Sequence, residues 1–179
     1  MKRILLLDLD MTLLNTSALQ AMRDARAWSK ISSSLHLVAA FEEEPHLVVA
    51  RLRSSDVRIG VVTSSPSTYA RGVLAHFGVT VDTLVGYHDT SRRKPYPDPI
   101  ERALKNLEAG ASEAVYVGDE AKDVQASHAA GVVAVAALWG AANPTALLDA
   151  KPDVILQKAG ALVGFSSFTK AMKVSAGAR

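Results

Sequence analysis

Cysteine is absent from the chain, and aromatic residues are scarce at 6%. Without cysteine the protein has no disulfide framework, no thiol chemistry and no cysteine-based zinc site. A long apolar run is also missing at the amino end, where residues 4–7 are the only apolar run before Asp8. Such a run is too short for a signal peptide or a membrane span. We therefore expect a cytoplasmic protein without a membrane partner.

The charge balance of the chain is mild. Its 179 residues carry a formal net charge of +2, and the isoelectric point is near 8.9. This excess is too small to argue for a nucleic-acid partner, which stays only as an alternative. The length suits one domain of ordinary size, and a hydrophobic content of 49% is enough for a sizeable core.

Two aspartates follow the first apolar run. Residues 4–7 form a short continuous apolar segment, which is typical of a strand buried on both faces of a parallel sheet. Asp8 and Asp10 follow it at the carboxyl end, where α/β folds bind their ligands. Positions two apart on a strand point to one side, so one aspartate could act as nucleophile or metal ligand and the other as general acid/base. The alternative is that Asp10 and Thr12 only begin a turn or cap a helix.

Hydroxyl groups follow a second strand-like segment. Residues 57–62 are rich in β-branched residues and lead into Thr63 and Ser64, just ahead of Pro66, which suits the first turn of a helix. This layout is typical of an anion-binding turn. The alternative is that Thr63 and Ser64 are plain helix caps.

Acidic and basic groups follow in the second half of the chain. Residues 114–117 read as another buried strand, after which come Asp119 and, at a predicted helix start, Asp123. Lys94 lies in a loop that three prolines stiffen, and a cation there could balance phosphate charge. The alternatives are that Lys94 belongs to a solvated basic loop and that Asp123 only complements a helix dipole.

These four motifs, in this order, resemble the signature of the haloacid dehalogenase superfamily. The resemblance covers about residues 2 to 157, and the segments after the fourth motif resemble the phosphoglycolate phosphatase-like branch. The residues that carry it are Asp8-Leu9-Asp10-Met11-Thr12, then Thr63, then Lys94, then Gly118-Asp119 with Asp123.

The resemblance implies a role for each motif residue. Asp8 is expected to attack phosphorus and become a transient aspartyl-phosphate, and Asp10 to protonate the leaving oxygen and later activate water. Thr63 and Ser64 are expected to bind the phosphoryl oxygens, while Lys94 offsets their negative charge.

The resemblance also implies Mg²⁺ as cofactor. Asp8, the backbone carbonyl of Asp10 and Asp119 are the expected ligands, with Asp123 as a further ligand or a close neighbour. These oxygen donors suit a hard cation that keeps several waters.

Strand-like and helix-like segments alternate along the chain, which predicts an α/β fold with a doubly wound parallel sheet. This is the Rossmann-like core that the resemblance also implies. We expect strands near residues 3–8, 58–62, 83–87, 114–118, 132–136 and 153–155. We expect helices near residues 43–54, 66–76, 97–109, 121–130, 144–149 and 157–163.

The interval from Thr12 to Thr63 is short for the branch, which usually carries a long helical cap there. We expect a catalytic core of residues 1–13 and 43–165, a reduced helical cap of residues 14–42, and a frayed tail of residues 166–179. A reduced cap should leave the site more open. Either a large substrate covers it, or a second subunit completes it as a homodimer. The apolar residues that would pack on the core or form such a dimer face are Trp28, Ile31, Leu35, Leu37, Val38 and Phe41.

The function expected from the resemblance is that of a magnesium-dependent phosphomonoester phosphatase, a phosphoric monoester hydrolase acting on a phosphorylated small molecule. Asp10 disfavours dehalogenation, because the dehalogenases of the superfamily lack that second aspartate. One alternative is a phosphatase for a nucleic-acid end or a phosphoprotein, which a reduced cap and several arginines suggest. The other is a non-catalytic regulatory subunit that retains the fold. The arginines are Arg51, Arg53, Arg58, Arg92 and Arg93.

Overall fold

The computed structural model describes residues 3–42, 44–53 and 57–164, which form a parallel sheet flanked by helices. The strands are β1 (Arg3–Leu7), β2 (Val57–Val62), β3 (Thr83–Val85), β4 (Ala114–Gly118), β5 (Val133–Ala137) and β6 (Val154–Leu156). The helices are α1 (Gln20–Asp24), α2 (Trp28–Ser32), α3 (Pro45–Arg53), α4 (Ser67–His76), α5 (Asp98–Asn106), α6 (Ala121–Ala129) and α7 (Pro144–Asp149).

The order of the strands places β1 at the centre of the sheet. The order is β3-β2-β1-β4-β5-β6, and every neighbouring pair is parallel. Leu7 is opposite Val61 of β2 on one side and Val117 of β4 on the other. The winding of the sheet therefore reverses at β1, and open α/β sheets bind their ligands at this switch point. The predicted doubly wound sheet is confirmed.

Alternate residues of β1 face two different cores. Leu5 and Leu7 pack in the cluster that includes Tyr69 of α4, whereas Ile4 and Leu6 pack in the cluster that includes Ile100 of α5. The side chains of these four leucine and isoleucine residues are completely buried. Successive strand side chains point to opposite faces, so helices must cover both sides of this sheet. The site at the end of β1 thus rests on a strand that is enclosed from both faces.

Residues 14–42 form short helices closed at their base by two hydrogen bonds. The N–H of Asn15 donates to the carbonyl of Ala39 at 2.9 Å, and the N–H of Ala39 donates to that of Asn15 at 3.0 Å. Between these residues lie α1, α2 and single 3₁₀ turns at Ser17–Leu19 and Leu35–Leu37. Ile31 and Val38 pack into the main core, which is the first of the two expectations for the apolar residues of this segment.

Several element boundaries differ by one to three residues from the sequence-based expectation, and two differences have a clear physical reason. The strand expected to reach residue 87 ends at Val85, because the N–H of Gly86 donates to Asp89 Oδ2 and that of Tyr87 to the carbonyl of Ser65. The segment expected as a last α-helix is the 3₁₀ helix Ala159–Gly164, whose glycines disfavour the α form. The expected tail of residues 166–179 lies outside the described residues. Among those described, no helix has both the length and the apolarity to cross a bilayer.

The loop after β5 supports the loop after β1. The indole N–H of Trp139 donates to the carbonyl oxygen of Thr12 at 2.9 Å. Beside it, Gly140 approaches the backbone of Met11 so closely that a Cβ on this glycine would lie 1.5 Å from the Met11 carbonyl oxygen. Met11 itself has a positive φ of 62°, which L residues rarely adopt. Packing from outside the loop therefore holds this uncommon backbone in place.

We expect Gly140→Ala to lower the free energy of unfolding by about 3 kcal/mol, because the added methyl group displaces the Met11 backbone. Urea unfolding followed by circular dichroism measures this loss. Gly110→Ala is the matched control, since its φ is −89° and the nearest atom to its added Cβ is 3.8 Å away. Equal stability changes in the two variants would contradict the prediction.

Candidate active site

Two neighbouring strands and the helix that follows the second bring the predicted acidic residues together at one edge of the sheet. Asp8 follows β1, and Asp119 follows β4, while Asp123 lies in the first turn of α6. One carboxylate oxygen from each lies within 4.8 Å of the others. All three side chains are buried. Residues far apart in the sequence thus form the cluster that the motif order predicts.

Asp8 combines burial with an oxygen that accepts no hydrogen bond. Its backbone N–H donates to the carbonyl of Val117 at 2.9 Å, which fixes the start of the loop. Its Oδ1 lies 3.2 Å from Lys94 Nζ and accepts no hydrogen bond within the described chain. Burial raises the pKa of Asp8 to about 7, although the nearby Lys94 charge opposes this rise. Such an oxygen is available to a metal ion or an electrophile.

Lys94 is the buried cation of the site. Its ammonium group donates to Asp123 Oδ1 at 2.6 Å, to Tyr116 Oη at 2.8 Å and to the carbonyl of Val62 at 3.3 Å. Burial opposes its charged form, but the charges of Asp123 and Asp8 outweigh burial and raise the pKa of Lys94 well above its usual range. Lys94 is 7% exposed, so its interpretation as part of a solvated loop is wrong.

The sequence analysis missed Tyr116 as a site residue. Its hydroxyl donates to the carbonyl of Val62 at 2.8 Å while accepting the hydrogen bond from Lys94. A tyrosine in the middle of a fully buried strand was a usable signal, because a buried phenol needs a polar partner. Tyr116 thus helps to hold the ammonium group of Lys94 beside the aspartates.

Asp119 and Asp123 are oriented by short polar contacts. The hydroxyl of Thr12 donates to Asp119 Oδ1 at 2.5 Å, and the N–H of Glu120 donates to Asp123 Oδ2 at 3.0 Å. Burial raises the pKa of Asp119 to about 8, and the charge of Asp8 adds to the rise. Gly118 makes room for this arrangement, since a Cβ there would lie 2.4 Å from the Asp123 side chain. Asp123 does sit in the first turn of α6, but its bond to Lys94 also makes it part of the site.

Asp10 is held by three side chains, none of which the sequence analysis assigned to the site. Its Oδ2 accepts from the hydroxyl of Ser65 at 2.7 Å. Its Oδ1 accepts from the hydroxyl of Tyr69 at 2.7 Å and forms an ion pair with Arg23 Nη1. No periodicity or motif linked Arg23 or Tyr69 to the first motif, because these contacts depend on how α1 and α4 pack around the loop after β1.

Thr63 and Ser64 line the site and do not cap a helix. Helix α4 begins at Ser67, its N-cap is Pro66, and no side chain of the described residues caps it. Thr63 Oγ1 accepts from the N–H of Ser65 at 3.0 Å, which forms a tight turn just after β2. The interpretation of these hydroxyls as plain caps is therefore wrong. Their position at the carboxyl end of β2 is the one predicted for anion binding.

A cavity of about 520 Å³ extends from the acidic cluster to residues 14–42. Asp8, Asp10, Thr63, Ser64 and Asp119 are among the residues that line it. Arg23, Arg26 and Trp28 line it as well. The volume falls within the usual range for small-molecule sites.

The acidic cluster fits the implied Mg²⁺ in its donor chemistry. Asp8, Asp119 and Asp123 supply carboxylate oxygens within 4.8 Å of one another, and Asp8 Oδ1 accepts no hydrogen bond among the described residues. Hard divalent cations prefer such oxygen donors. A bound cation would also relieve the cost of burying several carboxylates together, which the raised pKa values of Asp8 and Asp119 reflect.

Comparison with known proteins shows the family to which the chain belongs. Residues 20–137 match the family model for haloacid dehalogenase-like hydrolases, and the chain belongs to this family. A phosphoglycolate phosphatase of Pectobacterium atrosepticum is 33% identical over 124 residues, which are 66% of this chain and 53% of that protein. A Caldanaerobacter subterraneus protein, provisionally named a pyrophosphatase, is 36% identical over 117 residues, or 64% of this chain and 53% of that protein. The chain therefore spans about half the length of these curated relatives.

The fold is also that of solved members of the family. A haloacid dehalogenase-like family protein of Streptococcus pneumoniae superposes with a TM-score of 0.76 at 18% sequence identity. The superposition covers 92% of this chain and 98% of the other. The expected resemblance to the superfamily, with phosphoglycolate phosphatase-like relatives, is confirmed.

The raised pKa of Asp119 predicts a pH dependence for the metal-free protein. Its pKa is about 8 in the folded state and near 3.8 in the unfolded chain. The contribution of Asp119 to stability is therefore complete below pH 3.8 and is lost as the pH rises through about 8. Asp119→Asn cannot titrate, so in EDTA the stability of the wild type should fall relative to this variant over that interval.

Urea unfolding at a series of pH values measures this difference. Asp149→Asn, at an exposed position at the end of α7, is the control and should follow the wild type at every pH. A constant difference between the wild type and Asp119→Asn from pH 4 to pH 8 would show that the pKa of Asp119 is not raised.

Proposed function

We propose that this protein is a magnesium-dependent phosphomonoester phosphatase that works through an aspartyl-phosphate on Asp8. The observation that carries the proposal is Asp8 Oδ1, a buried carboxylate oxygen beside Lys94 that accepts no hydrogen bond among the described residues. Asp8 also lines the cavity, so this residue can meet a substrate. Membership of the hydrolase family and the relatives' phosphatase names support the same reaction.

In the first step Asp8 attacks phosphorus, and the bond from phosphorus to the leaving oxygen breaks. The electron pair of that bond stays on the leaving oxygen, which takes a proton from Asp10. Lys94 balances the negative charge that Asp8 and the phosphoryl group bring together. The result is a phosphorylated Asp8 and a free alcohol.

Thr63 and Ser64 hold the phosphoryl oxygens during this step. Thr63 Oγ1 accepts from Ser65, so its hydrogen points elsewhere and is available to a phosphoryl oxygen. Phosphoryl transfer depends chiefly on positioning and charge stabilisation, which these fixed donors supply.

In the second step Asp10, now ionised, takes a proton from a water molecule as the water attacks phosphorus. The acyl-phosphate bond breaks, Asp8 regains its carboxylate, and inorganic phosphate leaves. Asp8, the Asp10 carbonyl, Asp119 and Asp123 would hold Mg²⁺, which would supply positive charge to offset the charge of the phosphoryl oxygens. The same three aspartate side chains form the buried cluster described above.

The cavity supports a small phosphorylated substrate over a macromolecule. Its volume of about 520 Å³ suits a metabolite-sized molecule. The arginines that suggested a nucleic-acid end or phosphoprotein are largely engaged: Arg53 pairs with Asp82, Arg92 pairs with Asp98, and Arg58 and Arg93 donate to backbone carbonyls. They provide little support for a continuous phosphate-binding surface. A cytoplasmic location stays part of the proposal, and a homodimer through residues 14–42 stays an alternative that the mass in solution tests.

The test is hydrolysis of p-nitrophenyl phosphate with Mg²⁺ and with EDTA. We expect activity only with Mg²⁺, its loss in Asp8→Asn, and a fall in kcat of about 10²–10⁴-fold in Asp10→Asn. Asp149→Asn controls for the loss of a carboxylate away from the cavity. Acid-quenched samples analysed by mass spectrometry should show the phosphoryl group on Asp8.

Two results would overturn the proposal. Activity retained by Asp8→Asn would exclude the aspartyl-phosphate. Inactivity of the folded wild type on a broad panel of phosphate esters would favour the non-catalytic regulatory subunit instead.

A further inference from the structure

The carboxylate of Asp10 is contacted from two separate parts of the fold. Tyr69 belongs to α4 in the core, whereas Arg23 belongs to α1, between Asn15 and Ala39. Both reach the same oxygen, Asp10 Oδ1. Neither residue is required to bind a phosphoryl group or a metal ion in the proposed mechanism. Their convergence on Asp10 therefore needs its own explanation.

Both partners of Oδ1 are themselves held in place. Tyr69 is 5% exposed, and its ring lies 5.8 Å from that of Trp28 in a tilted arrangement. Arg23 Nη1 also donates to Thr16 Oγ1 at 2.7 Å, and its Nη2 bonds to Gln20. Side chains fixed in this way can fix a third group, because little freedom is lost when the contact to Asp10 forms.

The two oxygens of Asp10 have different kinds of partner. A guanidinium group can only donate, and the buried Tyr69 phenol also donates, so Oδ1 is committed as an acceptor. Oδ2 is bonded to the hydroxyl of Ser65, which both donates and accepts and can rotate. Because the Ser65 hydroxyl can rotate away, Oδ2 is the oxygen that can exchange a proton with a substrate.

We propose that Tyr69 and Arg23 are positioning residues that orient Asp10 so that Oδ2 transfers the proton to the leaving group. The inference rests on the proposed phosphatase function. Proton transfer needs heavy atoms within about 2.6–3.2 Å, so a carboxylate that rotates freely spends little time in a productive pose. Because Arg23 and Trp28 both belong to residues 14–42, this segment sets the geometry of the general acid as well as lining the cavity.

The dependence of kcat/KM on the leaving group tests the inference. Alkyl phosphates need a proton on the leaving oxygen, whereas 2,4-dinitrophenyl phosphate releases a stable phenolate without one. In Tyr69→Phe, which keeps the ring beside Trp28, we expect kcat/KM to fall about 10–100-fold for alkyl phosphates. For the dinitrophenyl ester it should stay close to the wild-type value. A structural defect would lower both rates equally.

Arg23 gives a second and independent variant. Arg23→Met should show the same selective loss on alkyl phosphates, and Arg23→Lys should recover most of it by restoring a charged donor. Arg26→Gln is the matched control, because Arg26 lines the same cavity and no hydrogen bond or ion pair in the described chain joins it to Asp10. Its KM can change, but the ratio between the two substrates should not.

Urea unfolding verifies that each variant is folded before kinetics are compared. Equal losses on both substrates, or no loss on either, in Tyr69→Phe and Arg23→Met would overturn the positioning role while leaving the phosphatase function intact. Absence of Asp8-dependent hydrolysis in the wild type would overturn the function itself, and the positioning role with it.

Discussion

The structure depends on one buried cation among several buried carboxylates. Lys94 contacts Asp123 at 2.6 Å and Asp8 at 3.2 Å, and the side chains of all three residues are buried. Removing one partner from such a group leaves an uncompensated charge, at a cost of about 3–5 kcal/mol. Tyr116 fixes the position of the lysine ammonium group, and the missing side chain of Gly118 leaves space for Asp123. The central strands are thus constrained by charge balance as well as by apolar packing.

The carboxylates outnumber the cation that balances them. Asp8 and Asp119 have raised pKa values because burial penalises their charged forms and neighbouring acids add to the effect. A divalent ion and a phosphate ester together would bring opposite charges into this region. A site of this kind favours the binding of positive charge without rearrangement, because its carboxylates are already fixed in place.

Much of the fold and of the inner site could be predicted from the sequence. Apolar runs followed by Asp8, Thr63 and Asp119 are local signals, and parallel strands bring their carboxyl ends to one edge. The partners of Asp10 could not be predicted in this way. Arg23 reaches it from α1 and Tyr69 reaches it from α4, and such tertiary packing leaves no fixed spacing in the sequence. Tyr116 lies between these cases, since its burial was predictable but its partner was not.

The pair of hydrogen bonds between Asn15 and Ala39 joins the two ends of the intervening segment. The length of that segment can therefore change without a change in the geometry of the core. The entropic cost of closing a loop grows only slowly with its length, by about 0.6 kcal/mol per doubling. Insertions or deletions between these residues can therefore be accommodated while the ends stay in register. The carboxyl edge of the sheet can therefore keep its structure while the segment between Asn15 and Ala39 changes in length and sequence. Substrate preference can diverge through such changes.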